Sequence, residues 1–169
     1  MKHEGLDLEA QIADLGAEDW NTRHSAFRAL AEQGASAIEV LIAGTEHPNW
    51  RVRRECADLM DHLADNRCVD SLVRLLNDPV IAVRRLALHA LSCQGCKVCP
   101  LEVDIVAHLS RLALEDKSIA VQRVAVHQLG CQPPTPRAKQ TLQQILAERR
   151  DPKLLSRARW ALEQQIRVQ

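Results

Sequence analysis

The sequence has very few aromatic side chains: Trp20, Phe27, Trp50 and Trp160 are all that occur in 169 residues. Pleated sheets draw on aromatic and β-branched residues, whereas the alanine and leucine that recur through this chain suit closely packed helices. Net charge is missing as well, since 22 Lys and Arg balance 22 Asp and Glu. No global field therefore draws the protein to nucleic acid or to an anionic membrane surface. Long apolar runs are absent too, none approaching about 18 residues. The opening MKHEGLDLEAQIADLG carries acids where a signal peptide keeps an apolar core. The expectation is an all-α cytoplasmic protein with neither a membrane nor a nucleic-acid partner. At this length one domain, or one stack of small repeats, buries enough surface to be stable.

Repetition is what the chain does have. The segment HPNWRVRRECADLM, from His47 to Met60, has a counterpart in DPVIAVRRLALHAL, from Asp78 to Leu91, and another begins at Asp116 and runs through Val121, Ala125 and Leu129. With the valine as anchor, one row reads Thr22, Val52, Val83, Val121 and Leu154. Four places later stand Ala26, Cys56, Ala87, Ala125 and Ala158, and at eight Leu30, Met60, Leu91, Leu129 and Leu162. Residues at i, i+4 and i+8 share one helical stripe, and a small middle residue admits a neighbouring helix, so each row is a core row.

The anchors lie 30, 31, 38 and 33 residues apart, the length of two short helices and their connections. A second amphipathic segment follows each first helix, as in Ile38, Leu41 and Ile42 or Val69, Leu72 and Leu76. Asp78-Pro79, Thr135-Pro136 and Asp151-Pro152 supply cap-then-proline start signals. The organisation is one domain over 1–169, with repeats at approximately 17–46, 47–77, 78–115 and 116–150 and a terminal helix over 151–167. The stretch from Leu6 to Leu15 reads as an unpaired helix before the first repeat.

The two quoted segments resemble the first helices of HEAT repeats, in particular the short bacterial type also found in bilin-lyase-like proteins. The resemblance covers nearly the whole chain and implies an α-solenoid of about four HEAT-like helix pairs with single flanking helices. It implies further that the protein is a scaffold for other macromolecules. A few HEAT proteins resemble enzymes such as alkylpurine DNA glycosylases, and the fold alone does not choose between these roles.

Two places before each anchor stand Trp20, Trp50, Ile81 and Ile119, which read as packing between successive repeats. Arg53-Arg54 and Arg84-Arg85, with Arg23 and Arg123 in matching rows, read as partners of acids in the preceding turn, such as Asp78 or Asp116. A glycosylase site requires an acid beside aromatic walls in a cleft, and the sequence assembles none. At six places past the anchor the row holds Arg28, Asp58, His89, His127 and Trp160. At ten it holds Glu32, His62, Cys93 and Cys131, where solvated polar residues are usual.

The 38-residue spacing reflects an insertion of about seven residues in the third repeat. It carries Cys93, Cys96 and Cys99, with Gly95 to ease the turn. Cys-x2-Cys lets two thiolates reach one ion, and Cys131 occupies the repeat position of Cys93, so stacking would bring it near. His89 with Cys93, and His127 with Cys131, stand at i and i+4. The expected metal ligands are Cys93, Cys96, Cys99 and Cys131, with His89 and His127 as alternates. Zinc is the first expectation and an iron–sulfur cluster the second, because the fourth cysteine is not at the ferredoxin spacing. Cys56 and Cys68 read as packed thiols.

No nucleophile paired with a base, carboxylate pair or Gly-rich phosphate loop is present. The leading function is a non-enzymatic protein-interaction scaffold with a structural metal, using His89, His127 and Trp160 for a protein partner. A metal-dependent or thiol redox sensor, and a HEAT-type lyase or DNA-repair glycosylase, are the other two classes.

Overall fold

The computed structural model describes residues 7–63, 65–96 and 100–167. Its elements are α1 Leu8–Asp14, α2 Trp20–Gln33, α3 Ile38–Gly44, α4 Trp50–Leu63, α5 Val69–Leu75, α6 Ile81–Ser92, α7 Ile105–Glu115, α8 Ile119–Cys131, α9 Pro136–Glu148 and α10 Pro152–Arg167. Short 3-10 turns over Gly34–Ala37 and Asn66–Cys68 lead into α3 and α5. No strand occurs among the described residues, and in chain order α2 to α9 follow as two helices per expected repeat, preceded by α1 and followed by α10. This is the all-α solenoid of repeats that the spacing implied. No helix among the described residues is long and apolar enough to cross a membrane.

Contacts gather the chain into two compact units, residues 1–90 with 94–101 and residues 91–93 with 102–169. In the first, α1 packs on α2 and α3, α2 on α4, and α3 on α4. A Cβ placed on Gly44 would stand 2.5 Å from the Cys56 sulfur, so the missing side chain lets α3 settle against α4. In the second unit α7 packs on α8 and α9, and α10 on α8 and α9. Gly130 plays the same part there, since a Cβ would meet the Ala161 Cα at 2.8 Å.

The core rows are those of the repeat. Val52, Val83, Val121 and Leu154 are buried, as are Ala26, Cys56, Ala87, Ala125 and Ala158, and Leu30, Met60, Leu91 and Leu129. Thr22 departs from its row: it is exposed, and its hydroxyl and amide both donate to the Asp19 carboxylate at the start of α2. Cys56 and Cys68 are packed thiols, and burial pushes the first up to about 12 and the second to about 11.

The row expected to pack between repeats does not. Trp20, Trp50, Ile81 and Ile119 are 61%, 36%, 45% and 38% exposed. Each is the first residue of its helix, where the side chain projects from the helix end and the core stripe has not yet begun.

The arginine row holds the turns, by a different chemistry from the one expected. Arg23 donates to the carbonyls of Ala17 and Glu18, Arg53 to those of His47 and Pro48, and Arg84 to those of Asp78 and Pro79. In the fourth repeat Gln122 takes the position and donates to the Asp116 carbonyl. The preceding turn is thus gripped through its main chain, and the acid comes from the following turn instead. Arg53 makes a two-bonded pair with Asp78 at 2.6 and 3.1 Å, and Arg123 another with Asp151 at 3.1 and 2.6 Å. The Arg123 guanidinium, hydrogen-bonded to Asp151, holds that carboxyl below its usual range.

In the second unit two buried glutamines, 11 places past their anchors, close the ends of helices. Gln132 donates to the Ser92 carbonyl at 3.0 Å, and Gln165 to the carbonyls of Leu129 and Gln132 at 2.8 Å each. Carbonyls in a helix's last turn have no partner within the helix, and these amides supply one.

The Arg53–Asp78 pair has side chains only 13% and 4% exposed. Asp78→Ala leaves that guanidinium partly buried without its carboxylate and should cost about 3 kcal/mol, lowering the thermal midpoint by roughly 6–12 °C. Glu32→Ala, which removes the exposed Arg28–Glu32 pair, should cost under about 0.5 kcal/mol. Parallel calorimetric melts of the two variants check the contrast.

Candidate metal centre

His89 lies in the last turn of α6, and Cys93 follows the helix by one residue. The chain then bends through Gln94 and Gly95 to Cys96. Over these eight consecutive residues one donor atom from each of His89, Cys93 and Cys96 comes within 4.8 Å of the others. The Cys96 sulfur is 3.5 Å from His89 Nε2. All three residues are half-buried, so a small ion has access to them while part of each ligand is shielded from water. Two sulfurs and an imidazole nitrogen form a donor set that suits zinc.

A residue absent from the sequence reading stands beside His89. Asp61, on α4, is 1% exposed, and its Oδ2 is 3.3 Å from the same His89 Nε2. Nine places past the anchor the other full repeats carry Ala31, Ser92 and Gly130, while the terminal helix carries Glu163.

Of the remaining sequence-stated ligands, Cys99 lies outside the described residues. Cys131 and His127 do not belong to the close donor group among the described residues. Cys131 is exposed at the end of α8, 3.9 Å from His127 Nε2. Partial burial, and then the nearby Cys93 thiol, hold its thiol above the ordinary range. His127 turns instead to Trp160, stacking with centroids 4.7 Å apart and planes 18° apart. Trp160 remains 37% exposed. The three candidate contact residues therefore divide, His127 and Trp160 forming one stacked pair while His89 faces Asp61 and Cys96. His62 is exposed.

The first unit also holds a groove of about 310 Å³ whose lining includes Trp20, His24, Phe27, Arg54, Glu55 and Asp58. This corrects the expectation that no acid meets aromatic walls. The sequence separates these residues by a whole repeat, and packing α2 on α4 brings them together. Trp20 stacks on His24 with centroids 4.8 Å apart. Burial raises the carboxyls of both Glu55 and Asp58, with Arg54 opposing the shift in each case. Arg54 is already paired with Glu55 at 2.5 Å.

Helix pairs stacked on small-residue stripes, with a polar grip on every turn, define an α-solenoid. The sequence profile of the HEAT repeats family matches residues 8–95, more than half of the chain, and the protein belongs to that family. No curated protein matches the sequence. Among solved structures, a chain from the complex of CpcE and CpcF of the phycocyanin lyase of Nostoc sp. PCC7120 is similar with a TM-score of 0.74 and 19% identity. The match covers 91% of this chain and 96% of that one. An engineered protein matches with a TM-score of 0.55 and 22% identity, over 94% of this chain and 78% of that one. A designed armadillo repeat protein in complex with the peptide (KR)4 matches with a TM-score of 0.54 and 19% identity, over 94% and 81%. At these identities the likeness is one of fold.

Burial, and secondarily the positive charge of Arg157, lower the affinity of His127 for a proton. Its folded pKa lies below the unfolded value, so the stability it contributes is present above the unfolded pKa and is lost as pH falls through the folded one. An NMR titration should place His127 below a free imidazole, and Trp160→Ala should return it towards that value. An unchanged midpoint in the variant would separate the stack from the shift.

Proposed function

We propose that this chain is a non-enzymatic protein-interaction scaffold that carries a structural zinc ion in its third repeat. The exposed apolar row carries the first half of this reading. Trp20, Trp50 and Ile81 begin successive first helices of one unit at the same repeat position, and all three stay open to solvent. Regularly spaced large apolar side chains that stay partly open to solvent suit a protein surface, and tryptophan is prominent among residues that anchor such contacts. Trp160 on its His127 platform is the second candidate contact, a flat amphipathic face already ordered by stacking. The Nostoc lyase chain and the armadillo design are each found in a complex, with another protein and with a peptide. That agrees with a protein partner here.

The donor group of His89, Cys93 and Cys96 supports the metal half. Coordination would replace the conformational freedom of the inserted loop with bonds to one ion, which stabilises the loop and needs no reaction. Cys99 and Cys131, expected as ligands with Cys93 and Cys96, are the candidates for completing the shell.

One observation favours a second reading, an enzyme of the lyase or DNA-glycosylase type: the groove with Glu55 and Asp58 beside Trp20 and Phe27. The scaffold reading is preferred because the groove's basic groups are engaged within the fold, Arg54 by Glu55 and Arg23 by two turn carbonyls.

A pull-down from lysate of the source cells tests the scaffold. Wild type should retain a defined protein, and either Trp20→Ala/Trp50→Ala or His127→Ala/Trp160→Ala should weaken that retention by about tenfold or more, as loss of a hot spot does. The substituted residues are largely exposed, so melts should confirm that each variant stays folded. The same retained proteins in equal amount with both variants would contradict both proposed contacts.

A further inference from the structure

We propose that the groove between α2 and α4 receives an arginine side chain of a protein partner, its guanidinium stacking at Trp20 and pairing with Asp58. This rests on the scaffold reading above and supplies the chemistry of one of its contacts.

The groove has two walls of different character. From α2 come Trp20, His24 and Phe27 at i, i+4 and i+7, one stripe of the helix, and from α4 come Arg54, Glu55 and Asp58. Both helices lie in the first unit. His24 stacks on one face of the Trp20 indole with planes 8° apart, and Trp20 is still 61% exposed. Phe27, half-buried, adds apolar surface against which the methylenes of an arginine can lie while its head stays polar.

Charge selects the occupant. Arg54 is already bonded to Glu55, and Arg23 to the turn carbonyls of Ala17 and Glu18. Asp58 is half-buried and makes no hydrogen bond or ion pair among the described residues. Burial raises its carboxyl, Asp61 adds to the shift, and the opposing influences of Arg54, His62 and His89 do not cancel it. A half-buried carboxylate short of positive charge, sharing a groove with an indole, suits a cation.

The next repeat indicates which cation. Arg51 holds its guanidinium carbon 5.4 Å from the centroid of the Trp50 ring. Trp20 and Trp50 occupy the same repeat position, and where Arg51 follows Trp50, the uncharged Asn21 follows Trp20. The indole without an arginine beside it in sequence is therefore the one that shares its groove with the unpaired carboxylate. A guanidinium fits both features, because its plane stacks on rings and its N–H fork meets a carboxylate through two bonds. A lysine ammonium is a strongly hydrated point charge and fits only the second.

NMR titration of the isotope-labelled full chain with N-acetyl-arginine N-methylamide tests this. The indole N–H signals are those of Trp20, Trp50 and Trp160, and Trp20→Phe assigns the first by its loss. Wild type should show a saturable shift of the Trp20 signal that exceeds the other two, and the lysine and citrulline analogues should bind more weakly. Asp58→Asn should weaken arginine binding by at least about fivefold. Asp70→Asn, at an exposed acid of α5 outside the groove, should leave it unchanged. Since Asp58 has no bonded partner among the described residues, the melt of Asp58→Asn should match that of wild type. The arginine analogue should also displace the protein retained in the pull-down. No saturable shift, equal binding of the lysine or citrulline analogue, or arginine binding that survives Asp58→Asn overturns the assignment. If Trp20→Ala/Trp50→Ala loses the partner while arginine does not bind, or binds without displacing the retained protein, the contact surface stands and the arginine assignment fails alone.

Discussion

A stack of short helices holds its register only if each turn is fixed before the next helix begins. In this protein the fixing is done by one side chain per repeat, reaching back about one and a half helical turns to the carbonyls of the connection it came from. Arg23, Arg53 and Arg84 do it with a guanidinium, and Gln122 does it with an amide. Because the main chain of the turn is the acceptor, the turn's own side chains are free to vary. A guanidinium has donors to spare, so Arg53 also reaches forward to Asp78, whose carboxylate in turn receives the Val80 amide. One residue then fixes the turn behind it and the turn ahead. Small residues at Gly44 and Gly130 matter only once this register exists, since a close approach between helices is productive at one axial offset alone.

The same register sets Asp61 beside His89. Asp61 is in the last turn of α4, and His89 is in the last turn of α6 one repeat later. The side chains meet because the repeats are in step, and the turn after α6 folds back far enough to bring Cys96 to the same nitrogen. The row that holds Asp61 carries Ala31 and Ser92 in the neighbouring repeats.

Much of this was legible in the sequence. The valine, alanine and leucine rows are self-similar, and each falls in the core almost without exception, Thr22 being the clear departure. The cysteine turn was visible because it breaks the spacing. Two things were not legible, for different reasons. Apolar side chains at Trp20, Trp50, Ile81 and Ile119 look like core by type, but their position at the helix start points them outward, and type alone does not reveal that. Asp61 beside His89 was not legible because its partner is 28 residues away in sequence and adjacent only after two helices have packed. The groove beside Glu55 escaped for the same reason, as did the amides of Gln132 and Gln165, whose acceptors are carbonyls in the turn or helix of the preceding repeat.

The central proposal is that the turn after α6 holds a zinc ion on His89, Cys93 and Cys96. Zinc K-edge X-ray absorption on protein purified without added metal measures that shell directly. The account predicts one zinc per chain with at least two sulfur neighbours at about 2.3 Å and a nitrogen neighbour at about 2.0–2.1 Å. A shell without sulfur, or protein that holds no zinc in reducing buffer, would contradict the centre.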